Sequence, residues 1–206
     1  LHFRGQTPPT LASSLVAVDN GLRSRRHLHR ARRFSVSGIF YLRGGKMELH
    51  DIPIEIPEGA NLILGQSHFI KTAEDIYEVM VNTVPGAKFA VAFCEASGPC
   101  LIRVESNDDE LRRVAISNAE AIAAGHVFVL LIRQAFPINV LSRVRDCFEV
   151  CNIFCATANP VEVIVAQSGH GRGVLGVIDG YPPKGVESAE DAKSRHALVR
   201  KFGYKL

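Results

Sequence analysis

The chain has no tryptophan and only four tyrosines and two methionines among its 206 residues. It has no apolar run near the roughly 20 residues a membrane-crossing helix needs, so no such helix is expected. No G-x-x-x-x-G-K-[S/T] sequence occurs, which excludes a standard P-loop. No internal repeat is visible, so a repeat array is excluded as well. Acid is scarce in one place. Residues 1–46 carry nine Lys/Arg and a single acid, Asp19. The remainder therefore holds 24 − 9 = 15 basic and 21 − 1 = 20 acidic side chains, a net of −5 beneath an overall +3. A mildly acidic body lacks the basic footprint of a general nucleic-acid binder.

What is present is globular: 47% hydrophobic and 22% charged residues, enough for one domain with an appendage. The appendage is residues 1–46, where "RSRRHLHRARR" cannot build a core and disorder is expected over most of the segment. It reads as an over-extended start, because the first methionine is Met47 and "RGGK" before it can be encoded by purine-rich codons. A targeting leader or a basic tail for anionic partners are the alternatives. The domain proper is then 47–206.

Five cysteines, at 94, 100, 147, 151 and 155, are odd in number and follow no secretory signal, so reduced thiols in a cytoplasmic protein are expected. "CFEVCNIFC" spaces three of them four apart, which on a helix would align metal ligands. It reads better as a strand with Cys151 and Cys155 turned to one face as small core residues, so no metal site is expected there.

From Met47 onward strands and helices interleave. "ELHDIPIEIP" alternates as a half-exposed strand, "NLILGQ" is a short buried one, and a helix should run from Thr72 to about Thr83 with Thr72 and Asp75 as a capping box. "KFAVAFCEA" and "CLIRVES" form a hairpin. The helix "NDDELRRVAISNAEAIAAG" is capped by Asn107 or Asp108 and stopped by Gly125. There follow a buried strand "HVFVLLI", a helix from near Pro137, strands "NIFCATA", "VEVIVAQ" and "GVLGVID", and an amphipathic helix from about Ser188 to Phe202. The expectation is a single α/β domain: a mixed β-sheet flanked by about four helices, behind a disordered N-terminal extension.

Several residues can carry chemistry. His68 and Lys71 lie just before a helix N-terminus, where free N–H groups and the helix dipole favour negative charge. A neutral imidazole there is a nucleophile beside a place that welcomes a phosphoryl group. The structural alternative is a histidine that satisfies a main-chain carbonyl at the turn. His126, opening a strand, is a weaker candidate of the same kind. "GRGVLG", Gly171 to Gly176, matches the dinucleotide fingerprint literally, but it runs into a strand rather than a helix, so no Rossmann site is expected. What remains is a glycine-rich turn with Arg172 that can approach an anion, or simply a hairpin that needs its glycines. Glu95 and Asp179, each at a strand end, can orient a ribose hydroxyl or bind Mg2+, or be exposed turn acids. Asn159 in "CATANP" can pair with an adenine edge, or close a tight turn.

"LGQSHFIKTAEDIYE", "VPGAKFAVAFCEASGPCLIR", "AGHVFVLLI", "FPINVL", "EVCNIFCATANPVEVIVA" and "GRGVLGVIDGYPPKGVE" together resemble the adenosine-specific kinase family, small proteins found largely in archaea and bacteria. The resemblance spans nearly all of 47–206 and none of 1–46. It implies a compact α/β homo-oligomer, with a trimer as the expected form. It further implies binding of adenosine and AMP rather than ADP or ATP, and a phosphorylated histidine. The cofactor is left open, Mg2+ with a phosphate donor being the candidate. His68 and His126 lie within the matching stretches; the helix-terminus argument selects His68 for phosphorylation, with Lys71 and Arg172 stabilising the transferring group. The candidate ligand-binding residues are Gly65, Gln66, Glu95, His126, Asn159, Gly171, Gly173 and Asp179. Cys100 departs from the family pattern, where a basic or polar residue is more usual. The reaction implied is phosphoryl transfer to adenosine; a non-catalytic adenosine or AMP sensor fits the same motifs.

Overall fold

The strand at the centre of the protein is the one whose sequence offers no polar face. Strand β6 (Val127–Arg133) is apolar at successive positions and buried on both sides through Ile132. Such a run has no solvent face to present and so takes an interior place in a sheet. The computed structural model describes residues 38–42 and 45–206, with side chains from Met47 onward. The first described strands are β1 (Gly38–Leu42) and β2 (Gly45–Ile54). The rest of the basic extension, and the expectation of disorder there, lies outside the described residues.

A five-stranded sheet has the order β5 (Ile102–Ser106), β4 (Lys88–Cys94), β6, β3 (Ala60–Ser67), β7 (Val150–Thr157). A four-stranded sheet has the order β1, β2, β8 (Val161–Gln167), β9 (Arg172–Asp179). The α/β architecture with four helices is as expected, and the anticipated β4–β5 hairpin is present. Strands β8 and β9 also pair, the hairpin that was the alternative to an anion-binding turn at Gly171–Gly173. Where one mixed sheet was expected, the strands divide into two sheets and all their pairings are antiparallel. One parallel pairing that a strand–helix–strand unit would supply is prevented by an insertion. Strands β3 and β4, joined through helix α1 (Thr72–Thr83), run the same way as a strand–helix–strand unit requires, but β6 lies between them and pairs antiparallel with each.

The alternation of side chains sorts the core into two layers. Ile63, Phe89, Val91, Phe93, Phe128 and Leu130 face α1 and helix α3 (Pro137–Arg145), meeting Ile76, Met80, Val140 and Val144. Leu62, Leu64, Ala90, Ala92, Val127 and Val129 face helix α2 (Asp109–Ile122) and the valine stripe Val161, Val163 and Val165 of β8. Three fully buried phenylalanines anchor the first layer, each contributing about 1.5–3 kcal/mol of burial.

Helix ends follow local chemistry, with two departures from expectation. Asp108 caps α2 by accepting from the Leu111 N–H at 3.0 Å. The helix ends earlier than Gly125, at Ile122, with Ala123 in the left-handed region (φ 49°). Gly125 serves packing instead: a Cβ there would lie 2.8 Å from that of Ala96. Helix α1 starts at Thr72 as expected, but its N-cap is Lys71 and no capping box forms. The Thr72 hydroxyl turns inward, within hydrogen-bond distance of Ser67 Oγ (2.7 Å) and the Phe69 carbonyl. Asp75 is drawn to Lys71 instead. The C-terminal helix α4 (Ala189–Lys201) has the Ser188–Asp191 capping box and buries none of its residues.

Strand β7 corrects the reading of the cysteine run. It is a strand, but register shifts between Cys155 and Ile153 and between Asn152 and Val150 interrupt its alternation. Phe154 and Cys155, neighbours in sequence, consequently pack against the same core layer. Cys155 is buried as expected, whereas Cys151 is exposed and does not join the core.

Candidate functional site

One end of the five-stranded sheet collects most of the chemistry. The ends of β3 and β4 and the starts of β6 and β7 meet there, laced by main-chain bonds: His126 N–H to the Cys94 carbonyl (2.7 Å), Ser67 N–H to the His126 carbonyl (2.9 Å), and His68 N–H to the Glu149 carbonyl (3.0 Å). His126 occupies the left-handed region (φ 65°). Its ring stacks on Phe93 with centroids 6.0 Å apart. Gly65 is required where it stands, since a Cβ would lie 2.4 Å from Phe128 Cζ and 2.7 Å from the Asn152 carbonyl oxygen. The adjacent Gln66 is exposed.

His68 is exposed in the β3–α1 turn, and its Nδ1 lies 3.1 Å from the Glu149 carbonyl oxygen. A carbonyl only accepts, so Nδ1 carries the proton and the ring's lone pair is on Nε2. Cys151 Sγ sits 4.0 Å from Nδ1 and donates to the same carbonyl at 3.4 Å. Lys71, three residues on, pairs with Asp75 and lies 3.3 Å from Glu149 Oε2. Its hydrogen bond to Asp75 foremost, and then Glu149, hold the ammonium above its ordinary pKa against partial desolvation. The Glu149 side chain is 1% exposed. Although Lys71 is close, neither carboxylate oxygen receives a hydrogen bond of ordinary geometry. Burial, then the charges of Glu149 and Asp75, push the nearby Cys147 thiol up to about 11. A groove of about 640 Å³ opens beside this cluster, lined by Asp75, Glu78, Asn82, Arg143 and Cys147 among others.

The other sequence-predicted residues fall elsewhere. Glu95 is at the same sheet end as His68, but its carboxylate accepts from Arg103 (3.0 Å) and the Leu101 N–H (3.2 Å) within the β4–β5 turn. Arg172, at the start of β9, donates to Gln167 Oε1 (2.8 Å) and to the Ala121 carbonyl (3.1 Å) near the end of α2. Gly171 and Gly173 flank it in open space. The segment from Arg172 to Asp179 is strand, which agrees with the exclusion of a Rossmann site. Asn159 and Asp179 are brought together, Nδ2 donating to Oδ1 at 3.1 Å. They sit beyond the far end of β7, about 20 Å from the His68 end at the usual rise per residue. That is farther than one nucleoside extends. Within one chain, the predicted residues therefore form a His68–Lys71 cluster and a separate Asn159–Asp179 pair.

Sequence reasoning missed Glu149, Asp75 and Cys151 as members of the cluster. Glu149 had a signal: it is the one charged residue in the run "CFEVCNIFCAT". Among the described residues no group of three or more His, Cys, Asp or Glu is placed to hold a metal ion. No helix among them is long and apolar enough to cross a membrane.

Comparison with known proteins bears on this arrangement. The crystal structure of the PH1918 protein from Pyrococcus horikoshii OT3 matches with a TM-score of 0.75 at 44% sequence identity, covering 78% of this chain and 99% of that one. No curated protein matches the chain. The family model described as adenosine specific kinase matches residues 52–205, a span that holds every candidate residue named above. The chain belongs to the adenosine specific kinase family.

Proposed function

We propose that this protein binds adenosine and AMP and phosphorylates adenosine at its 5′-hydroxyl through a phosphohistidine at His68. The observation that carries the reading is the bond between His68 Nδ1 and the Glu149 carbonyl, which leaves Nε2 as the nucleophilic nitrogen of an exposed imidazole. In the first step the Nε2 lone pair attacks the donor phosphorus; an N–P bond forms, and the donor's P–O bond breaks with its electrons on the departing oxygen. In the second, the adenosine 5′-oxygen attacks in line. The N–P bond breaks, its electrons return to Nε2, and the hydroxyl proton leaves to water. Lys71 and the α1 N-terminus stabilise the transferring oxygens, and Arg172 is assigned the same role.

Gly65, Gln66, Glu95 and His126 are proposed as ligand-binding residues at the His68 end, and Asn159, Asp179, Gly171 and Gly173 at the four-stranded sheet. A homo-oligomer, expected as a trimer, brings such separated groups together across chains. It is supported by the exposed Leu175 and Ile178 on edge strand β9 and by α4, which buries nothing in its own chain. All five cysteines are free thiols, which supports a cytoplasmic setting.

A second reading draws on the distance between His68 and Asn159. In it the protein is an adenosine or AMP sensor, and the nucleoside bound at the far pair does not exchange phosphate with His68. Calorimetric titration of the full chain with adenosine, AMP and ATP, followed by an assay for AMP formation, separates the readings. Selective binding of the first two with multiple turnovers supports the kinase. Selective binding without turnover supports the sensor, and no binding of either ligand contradicts both.

A further inference from the structure

Glu149 is a carboxylate in a place that disfavours one. Its side chain is 1% exposed, and the residues that follow it build strand β7. Removing a carboxylate from water is costly unless hydrogen bonds and opposite charge compensate, and a buried ion pair by itself adds little to stability. Compensation here is incomplete: Lys71 Nζ stands 3.3 Å from Oε2, and neither oxygen receives a hydrogen bond of ordinary geometry. The same residue presents its main-chain carbonyl to His68, through the backbone N–H at 3.0 Å and Nδ1 at 3.1 Å. Glu149 thus touches both candidate catalytic side chains by different atoms. Asp75, on α1 one turn after Lys71, is the competing partner for the ammonium.

We propose that Glu149 is a positioning residue for phosphoryl transfer: its carbonyl fixes the His68 ring with Nε2 outward, and its buried carboxylate draws the Lys71 ammonium to the same side as the imidazole. The inference rests on the phosphohistidine reading. Its content is a division of labour between two acids. Asp75 alone would hold Lys71 along the exposed surface of α1. Glu149 pulls it back toward the β7 end, where the phosphoryl oxygens of a group on Nε2 develop charge.

The test uses label exchange between adenosine and AMP, which a phosphoenzyme catalyses without any third substrate. Glu149→Gln keeps the carbonyl and the volume and removes the charge. Exchange should slow about 10- to 100-fold, the range expected when a catalytic group is displaced by about an ångström, while adenosine affinity is unchanged. Lys71→Met should slow it at least as much, and the double variant should be no slower than Lys71→Met alone, because Glu149 acts through Lys71. Losses that multiply would overturn the proposal.

A second readout is independent of phosphate chemistry. Competitive acylation of lysines, read by mass spectrometry, should label Lys71 several-fold faster in Glu149→Gln; an unchanged rate overturns the proposal. If the unsubstituted protein shows no exchange, the phosphohistidine reading itself falls. The acylation rate then decides the Glu149–Lys71 hold by itself, a rise supporting it and no change overturning it. Should Glu149→Gln fail to fold, Glu149→Met fills the site without a polar group and is read the same way. Failure of both to fold would assign Glu149 to the core and overturn the proposal.

Discussion

The Glu149 carbonyl oxygen takes two contacts from His68, the backbone N–H at 3.0 Å and ring Nδ1 at 3.1 Å. A turn residue and the first segment of a distant strand are thereby locked together, and the ring's tautomer is set by main chain alone. Main-chain control means that substitutions of side chains around the turn should alter the reaction without releasing the ring.

Gly65→Ala should destabilise the fold. The added Cβ would meet the Phe128 ring at 2.4 Å and the Asn152 carbonyl at 2.7 Å, and the latter is backbone. Overpacking of this kind costs about 1–3 kcal/mol. Gly173→Ala, with nothing within 4 Å of the new carbon, is the control and should unfold at the wild-type denaturant midpoint.

Ala123→Gly should stabilise it. Ala123 closes α2 in the left-handed region at φ 49°, a conformation that glycine adopts without the Cβ penalty. A gain of about 0.5–1 kcal/mol is expected, seen as a higher urea midpoint with an unchanged slope.

Asn159→Ala tests the far pair. If Asn159 contacts the base, adenosine should bind about tenfold more weakly, the equivalent of roughly 1.4 kcal/mol. Calorimetry reads the affinity, and an unchanged value would leave the Asn159–Asp179 contact a turn-closing hydrogen bond.

Stability should depend on pH through the buried thiols. Burial foremost pushes Cys94, Cys147 and Cys155 up to about 11 from 9.0. Below pH 9 the thiol is protonated folded or unfolded, and these groups contribute no pH dependence. Between 9 and 11 only the unfolded chain loses the protons, so the stability they supply falls as pH rises. Urea midpoints measured from pH 7 to 11 should be flat with respect to these groups and then decline. At pH 8, iodoacetamide should label the exposed Cys100 and Cys151 before the buried Cys94 and Cys155.

The parts of the fold legible in the sequence were those decided locally. The two-sided apolar run of β6 announced an interior strand, and Asp108 announced the start of α2. The placement of His68 at the head of α1 was readable from spacing alone. Non-local pairing was not. Nothing in β3 or β4 says that β6 will enter between them, and that entry replaces a parallel β3–β4 contact with two antiparallel ones. The register shifts in β7 have no local signature either, and they move Cys151 from the expected core to a position beside His68. For the site, spacing pointed to His68 and Lys71, which the structure places beside one another, but missed Glu149 between them. Its burial depends on the approach of the β3–α1 turn from 81 residues away. The separation of Asn159 from His68 likewise follows from the length of β7, not from either motif.

The central claim is transfer through His68, and the most direct measurement is the exchange of labelled adenosine into AMP. The account predicts that the full chain exchanges the label with no added donor. It predicts that His68→Asn, altering an exposed side chain, keeps the wild-type unfolding midpoint and exchanges none. Undiminished exchange in His68→Asn would contradict the account, as would its absence from a wild-type protein that binds both ligands.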